Sequence, residues 1–349
     1  MSKEFHFSPS IYHQHLMCQV SPALAYHGGH VVTWQRRLRR KLKQLLGYCP
    51  GVPVPLNPQV LWTRTHPLGR IEKLVFTSEP YADVPAYLCL PSEGDPPYPV
   101  MICLQGHTTG MHKSIAVDAE DETKPIEVPG DRDFGIGCLR HGVAALCIEQ
   151  RSFGERRERL QKQVASHGCH DAAMQALMLG RTLAGERVYD VQRAIEYLKT
   201  RPEIDPQRLG IMGNSGGGTI SLYAAALVPE LRLAVPSCAF CTFRDSIMSI
   251  NHCEDNYIPG LFNYADMSDV MGLFAPRPVV VVAGKRDTIF PFEGVQKAFD
   301  ELQAIYRAAK AERHCHLVAA EGDHRFYADL AWPKMLPYLF PNESLTGRI

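Results

Sequence analysis

With 349 residues, 45% of them apolar and 21% charged, the chain has ordinary globular composition and a length that suits one α/β enzyme with insertions. Lys and Arg number 37, and so do Asp and Glu, so no net field draws the protein to nucleic acid or an anionic membrane. No stretch approaches the roughly 20 apolar residues of a bilayer span. The start, MSKEFHFSPS, carries no apolar signal core, and the eleven scattered cysteines form no disulfide pattern, which together point to a reducing cytoplasm.

In chain order, residues 31–46 read as an amphipathic helix with Trp34, Leu38, Leu42, Leu45 and Leu46 on its apolar side. Its basic run, Arg36-Arg37-Leu38-Arg39-Arg40-Lys41, reads as a face turned to solvent or to a second copy of the chain in a homo-oligomer, not as a nucleic-acid patch. The Pro-rich CPGVPVPLNP follows. Residues 1–65 are therefore expected to form an N-terminal helical extension, and residues 66–349 the main domain. Residues 71–77 and 86–90 suit an opening antiparallel pair. Short apolar runs then alternate with helical stretches. Strands are expected at 100–104, 143–148, 209–212, 231–235, 279–283 and 316–319, and helices at 133–140, 185–200, 217–227, 293–312 and 332–339. Runs apolar on both faces belong to strands covered on both sides, so the fold class is α/β, a mostly parallel central sheet flanked by helices. Cys89, Cys103, Cys138 and Cys147 lie in such runs and read as core. Residues 151–181 and 240–274 break the rhythm after strand C-termini, where open α/β sheets bind ligands, and read as long loops over the site.

Gly213-Asn214-Ser215-Gly216-Gly217 lies between the strand RLGIM and the helical run GTISLYAAAL. This is the strand–turn–helix context of a nucleophile elbow, which makes Ser215 the candidate nucleophile at a helix N-terminus. A serine needs a base, and His324 follows the last expected strand. The acid is expected after the preceding strand, where Gly284-Lys285-Arg286-Asp287 stands; Asp287 is preferred to Asp323, whose neighbouring position makes folding back onto the ring of His324 awkward. The oxyanion donors expected are the N–H of Gly216 and that of His107, with Thr108 as the alternative, from the loop Gln105-Gly106-His107-Thr108-Thr109-Gly110. Glu149, Arg151 and Tyr257 are expected to border the cleft as substrate-binding residues, although Glu149 orienting Arg151 in a structural pair is the plainer reading. His167-Gly168-Cys169-His170 and His314-Cys315-His316 match no metal-ligand spacing, so neither a metal nor a cofactor is expected. Asp118 to Glu122 reads as a solvated acidic run.

The elbow, acid and base segments resemble those of α/β hydrolases. CLQGHTTG, CIEQRSFGE and Asn256-Tyr257-Ile258-Pro259-Gly260 are similar to the dienelactone-hydrolase-like and acetyl-xylan-esterase-like branch. The resemblance covers roughly residues 71–340 and implies ester hydrolysis of a small-molecule or carbohydrate ester, including deacetylation of sugars. Dienelactone hydrolases use a cysteine where this chain has Ser215, which argues against lactone chemistry. A peptidase of prolyl-oligopeptidase type would use the same triad order, but no propeller repeats are present. The third reading, a non-catalytic binding protein on the hydrolase fold, sits poorly with three triad residues in order.

Overall fold

The computed structural model describes residues 5–48, 51, 54–107, 109–158 and 168–341. Nine strands form one sheet: β1 (Gln59–His66), β2 (Gly69–Glu79), β3 (Ala82–Pro91), β4 (Tyr98–Leu104), β5 (Ala144–Ile148), β6 (Ile204–Asn214), β7 (Leu233–Ser237), β8 (Val279–Gly284) and β9 (Cys315–Ala320). Their spatial order is β1-β2-β3-β5-β4-β6-β7-β8-β9. Pairing is antiparallel from β1 through β3 to β5, and parallel from β5 onward. This is the α/β-hydrolase fold.

Alternation along each strand sends side chains to two helix layers. Val100, Ile102 and Leu104 of β4 enter the core shared with α2 (Val31–Leu45), α5 (Leu183–Leu198), α6 (Gly216–Leu227) and α8 (Phe292–Ala308). Met101 and Cys103 enter the opposite core, with α3 (Phe134–Arg140) and α9 (Ala328–Leu339). Cys89, Cys103, Cys138 and Cys147 all lie in that second core, as expected. The expected strands and long helices are present. The helices α1 (Pro9–Gln19), α4 (His170–Met178) and α7 (Met267–Gly272) were not anticipated, being short or weakly amphipathic. No helix among the described residues is long and apolar enough to cross a membrane.

Two expectations need correction. Residues 59–65 fall within the expected helical extension, yet with His66 they form β1 and pair with β2 over the register Gln59↔Val75 to His66↔Gly69. As an edge strand it is mostly exposed and shows little apolar alternation, so the periodic signal that marks buried strands is missing. The helix α2 packs on the main domain, with Leu38 and Leu42 wholly buried in its core. Gln35 donates to the carbonyls of Gly272 and Ala275, and Arg39 donates to Ala226 and Leu273. These last two carbonyls end α6 and α7, where a cation answers the helix dipole; Arg39 therefore belongs to the packing, not to a basic surface. The second correction concerns Glu122, which does not dissolve in a solvated run. It pairs with Lys73 at 2.6 Å and accepts from the Trp62 indole at 2.8 Å.

Candidate active site

The register aligns the C-terminal ends of the central strands: Leu104 faces Gly213 and Gly213 faces Pro236, while Gly284 faces Ala320. The loops that leave β4, β5, β6, β8 and β9 therefore open at one edge of the sheet. Ser215 sits between β6 and α6 with φ 56° and ψ −124°, a left-handed backbone that a side chain adopts only under constraint. The constraint is steric. A Cβ at Gly217 would overlap the Leu104 carbonyl oxygen, and one at Gly213 would meet Gly217 itself. Only glycine at 213 and 217 lets α6 start this close to β4 and β6, and the turn is forced to present Ser215 at the helix N-terminus. Ser215 N donates to Ser237 O at 2.9 Å, and the Ser237 hydroxyl donates to Asn214 Oδ1 at 2.8 Å, which pins the elbow to β7. Gly217→Ala is expected to lower stability by about 3 kcal/mol, the upper range for overpacking, and to abolish turnover; urea unfolding followed beside activity checks both.

Across the edge, His324 Nδ1 lies 2.7 Å from Asp287 Oδ2. The Asp287 side chain is 1% exposed, and its Oδ1 accepts from the N–H of Ile289 and of Phe290. Those two bonds fix the carboxylate, which in turn fixes the imidazole tautomer and plane. Phe290 stacks on the His324 ring with centroids 6.0 Å apart. His324 Nε2 is buried and meets no hydrogen-bond partner among the described residues, Ser215 included; such contacts are often long before substrate binds. The alternative acid, Asp323, pairs with Arg286 at the surface with its side chain 77% exposed.

In the loop after β4, Gly106 approaches Ser215 so closely that an added Cβ would lie 3.1 Å from Ser215 Cβ. The His107 ring covers Gly216, whose hypothetical Cβ would fall 2.7 Å from His107 Cε1. Thr108 lies outside the described residues. His107 Nε2 is 2.9 Å from Oδ1 of Asp255, and Asp255 also pairs with Arg187, both carboxylate and guanidinium being fully buried. Burial alone would lower the His107 pKa, but the Asp255 carboxylate outweighs it and raises the value to about 9. Asp255, which burial would push up, is held well below the usual carboxylate range by Arg187 and His107.

The contacts of Glu149 and Arg151 correct the expectation that they bind substrate or pair with each other. Glu149 is buried and accepts from the N–H of Met111 and of Glu155, bracing the loop after β4; burial, against those two bonds, raises its pKa to about 7. Arg151 donates to Asp190 through Nε at 3.0 Å and through Nη2 at 2.9 Å, and pairs with Glu79 at 2.6 Å and Glu186 at 3.0 Å. With Nε and both Nη atoms engaged, the guanidinium is a brace beneath the cleft. Its acids come from β2 and α5, far away in sequence, so adjacency to Glu149 was a misleading cue. Tyr257 is 40% exposed, donates to Ile247 O at 3.0 Å, and lines a cavity of about 870 Å³ between α1 and residues 243–263.

A buried acid–imidazole pair and a serine in a forced elbow at a helix N-terminus, both on loops that leave strand C-termini of one sheet, are the groups that nucleophilic acyl transfer uses. The family model of Abhydrolase_7, an Abhydrolase family, matches residues 10–318. The chain is 27% identical over 294 residues to YtaP of Bacillus subtilis (strain 168), provisionally named a hydrolase, across 82% of this chain and 93% of that protein. A structure from Bacteroides fragilis NCTC 9343, provisionally named an acetyl xylan esterase, superposes with a TM-score of 0.75 at 15% identity, covering 92% of this chain and 84% of that one. The glucuronoyl esterase from Solibacter usitatus gives 0.64 at 14% identity, covering 92% and 98%. At such identities the structural likeness is one of fold.

Proposed function

The chain belongs to the Abhydrolase family, and on that premise we propose that it hydrolyses carboxylic esters through an acyl-enzyme on Ser215, with acetylated carbohydrate as its substrate class. The observation that carries this reading is the Asp287–His324 pair, whose carboxylate is buried and whose imidazole Nε2 is bonded to no other group among the described residues. In the proposed cycle, His324 Nε2 takes the Ser215 proton as Oγ attacks the ester carbonyl. The oxyanion is held by the N–H groups of Gly216 and His107, each such donor contributing about 3–4 kcal/mol. His324 then protonates the departing alcohol. Water, deprotonated by the same nitrogen, attacks the acyl-enzyme and releases the acid.

Two features support a small acyl group on a carbohydrate. The His107 ring over Gly216 narrows the acyl side, and the structures of similar fold include one provisionally named an acetyl xylan esterase. Initial rates on p-nitrophenyl acetate, acetylated xylo-oligosaccharides, methyl glucuronates and aminoacyl-p-nitroanilides test the proposal. The expected result is the highest kcat/KM on acetyl esters, falling by about tenfold or more toward hexanoyl esters as the acyl side fills. Turnover of the anilides alone would favour a peptidase, and no turnover with no fluorophosphonate labelling of Ser215 would favour a binding protein.

A further inference from the structure

Beside the elbow, the His107 ring gathers with three side chains for which the proposed ester chemistry has no use. His107 comes from the loop after β4, Cys169 is the N-cap residue of α4, and Cys253 and Asp255 lie at the 3-10 turn Glu254–Asn256. One ligand atom from each lies within 4.8 Å of all the others, and Cys169, Cys253 and Asp255 are buried. His107 Nε2 is 2.9 Å from Asp255 Oδ1, and Cys169 Sγ is 3.7 Å from Asp255 Oδ2. In tetrahedral zinc sites, with Zn–S of about 2.3 Å and Zn–N of about 2.0 Å, neighbouring ligand atoms stand about 3.3–3.8 Å apart. Small side-chain movements close the cluster to that geometry.

The donor set selects the ion. Two thiols with an imidazole and one carboxylate suit zinc; magnesium and calcium prefer oxygen alone. Four protein ligands leave no open position, which marks a structural site. Arg187, with Nη2 3.4 Å from Cys169 Sγ and Nη1 on the far oxygen of Asp255, supplies the outer hydrogen bonds that orient metal ligands. The charges also close: a divalent ion, two thiolates, one carboxylate and the Arg187 guanidinium sum to zero, as a buried assembly requires.

We propose that His107, Cys169, Cys253 and Asp255 bind one zinc ion that staples the loop after β4 to the two long loops bordering the cleft. The ion displaces the imidazolium proton from Nε2 of His107 and the protons of both thiols, and it holds His107, the proposed oxyanion donor, against Gly216. The site is invisible to motif spacing because its ligands come from segments about 60 and 80 residues apart, with only Cys253-x-Asp255 local.

The test is metal content of the full chain purified without chelator from zinc-supplemented medium. About one zinc per chain is expected for the wild type and for Ser215→Ala, and less than about a tenth of that for the Cys169→Ser/Cys253→Ser double variant, whose remaining two ligands cannot complete a tetrahedral site. Because Ser215→Ala keeps the metal, the outcome is separate from that of the ester chemistry. Should the double variant fail to fold, wild-type protein stripped by chelator and titrated with Co(II) gives the deciding reading: thiolate-to-cobalt charge transfer and tetrahedral d–d bands saturating at one ion per chain. Absence of those bands, or recovery of Cys169 and Cys253 as a disulfide in the purified protein, would overturn the proposal.

Discussion

Ser215→Ala is expected to lower kcat on p-nitrophenyl acetate by about 10⁴–10⁶-fold, the range seen when a triad nucleophile is removed and oxyanion stabilisation alone remains. The fold should be untouched. Alanine keeps the Cβ that the φ 56° backbone already accommodates, and the N–H of residue 215 still donates to Ser237 O. Thermal melting should therefore move by no more than about 2 °C. Asp287→Asn belongs with it: the amide retains the shape but favours the wrong imidazole tautomer, and a loss of about 10⁴-fold is expected. Steady-state kinetics beside a melting curve reads both. A Ser215→Ala enzyme that keeps most of its rate would remove Ser215 from the mechanism, whatever the family.

Asp190→Asn is expected to be the most destabilising single change in the scaffold under the site, at about 3–5 kcal/mol, because it strands buried cations. Asp190 is 1% exposed, accepts from the Ser78 hydroxyl at 2.6 Å, and pairs with Arg151 at 2.9 Å and Arg156 at 2.6 Å. Burial would raise its pKa, but Arg156 and Arg151 outweigh burial and hold it well below the carboxylate range. A depressed folded pKa means that the stabilisation is complete above the unfolded value, near pH 4, and drains away as pH falls toward the folded value. The gap between wild type and Asp190→Asn should thus be constant from pH 8 to about pH 5 and narrow below about pH 4. A fall in Tm of roughly 4–7 °C at neutral pH is expected for a chain of this size. A shift under about 2 °C would show that Arg151 and Arg156 find other partners. Activity should fall with stability, since Arg156 donates to the Glu149 carbonyl and Glu149 braces the loop that carries His107.

Much of this protein is local in the sequence. Each buried strand announces itself by being apolar on both faces. The elbow is written in five consecutive residues between a strand and a helix, because its geometry depends on glycines that leave no Cβ between adjacent elements. The order Ser215, Asp287, His324 follows from which strand each residue succeeds, a property of the chain before it folds. What the sequence could not rank was the partner of each charge. Arg151 stands two residues from Glu149, yet its guanidinium answers Glu79, Glu186 and Asp190. Asp255 reads as one acid in a polar turn, yet it is the buried counter-charge of His107 and Arg187. Edge strand β1 has the same character, since its partner and not its own pattern makes it a strand.

Hydrophobic periodicity and tight-turn sterics act over a few residues and can be read along the chain. Ion pairing and ligand convergence act through space, and their strength is set by desolvation that exists only once the core has closed. The sequence by itself therefore determined the fold class and the identity and order of the proposed nucleophile, acid and base. Only the tertiary structure decided which side chains brace the cleft, and that His107, Cys169, Cys253 and Asp255 meet at one point.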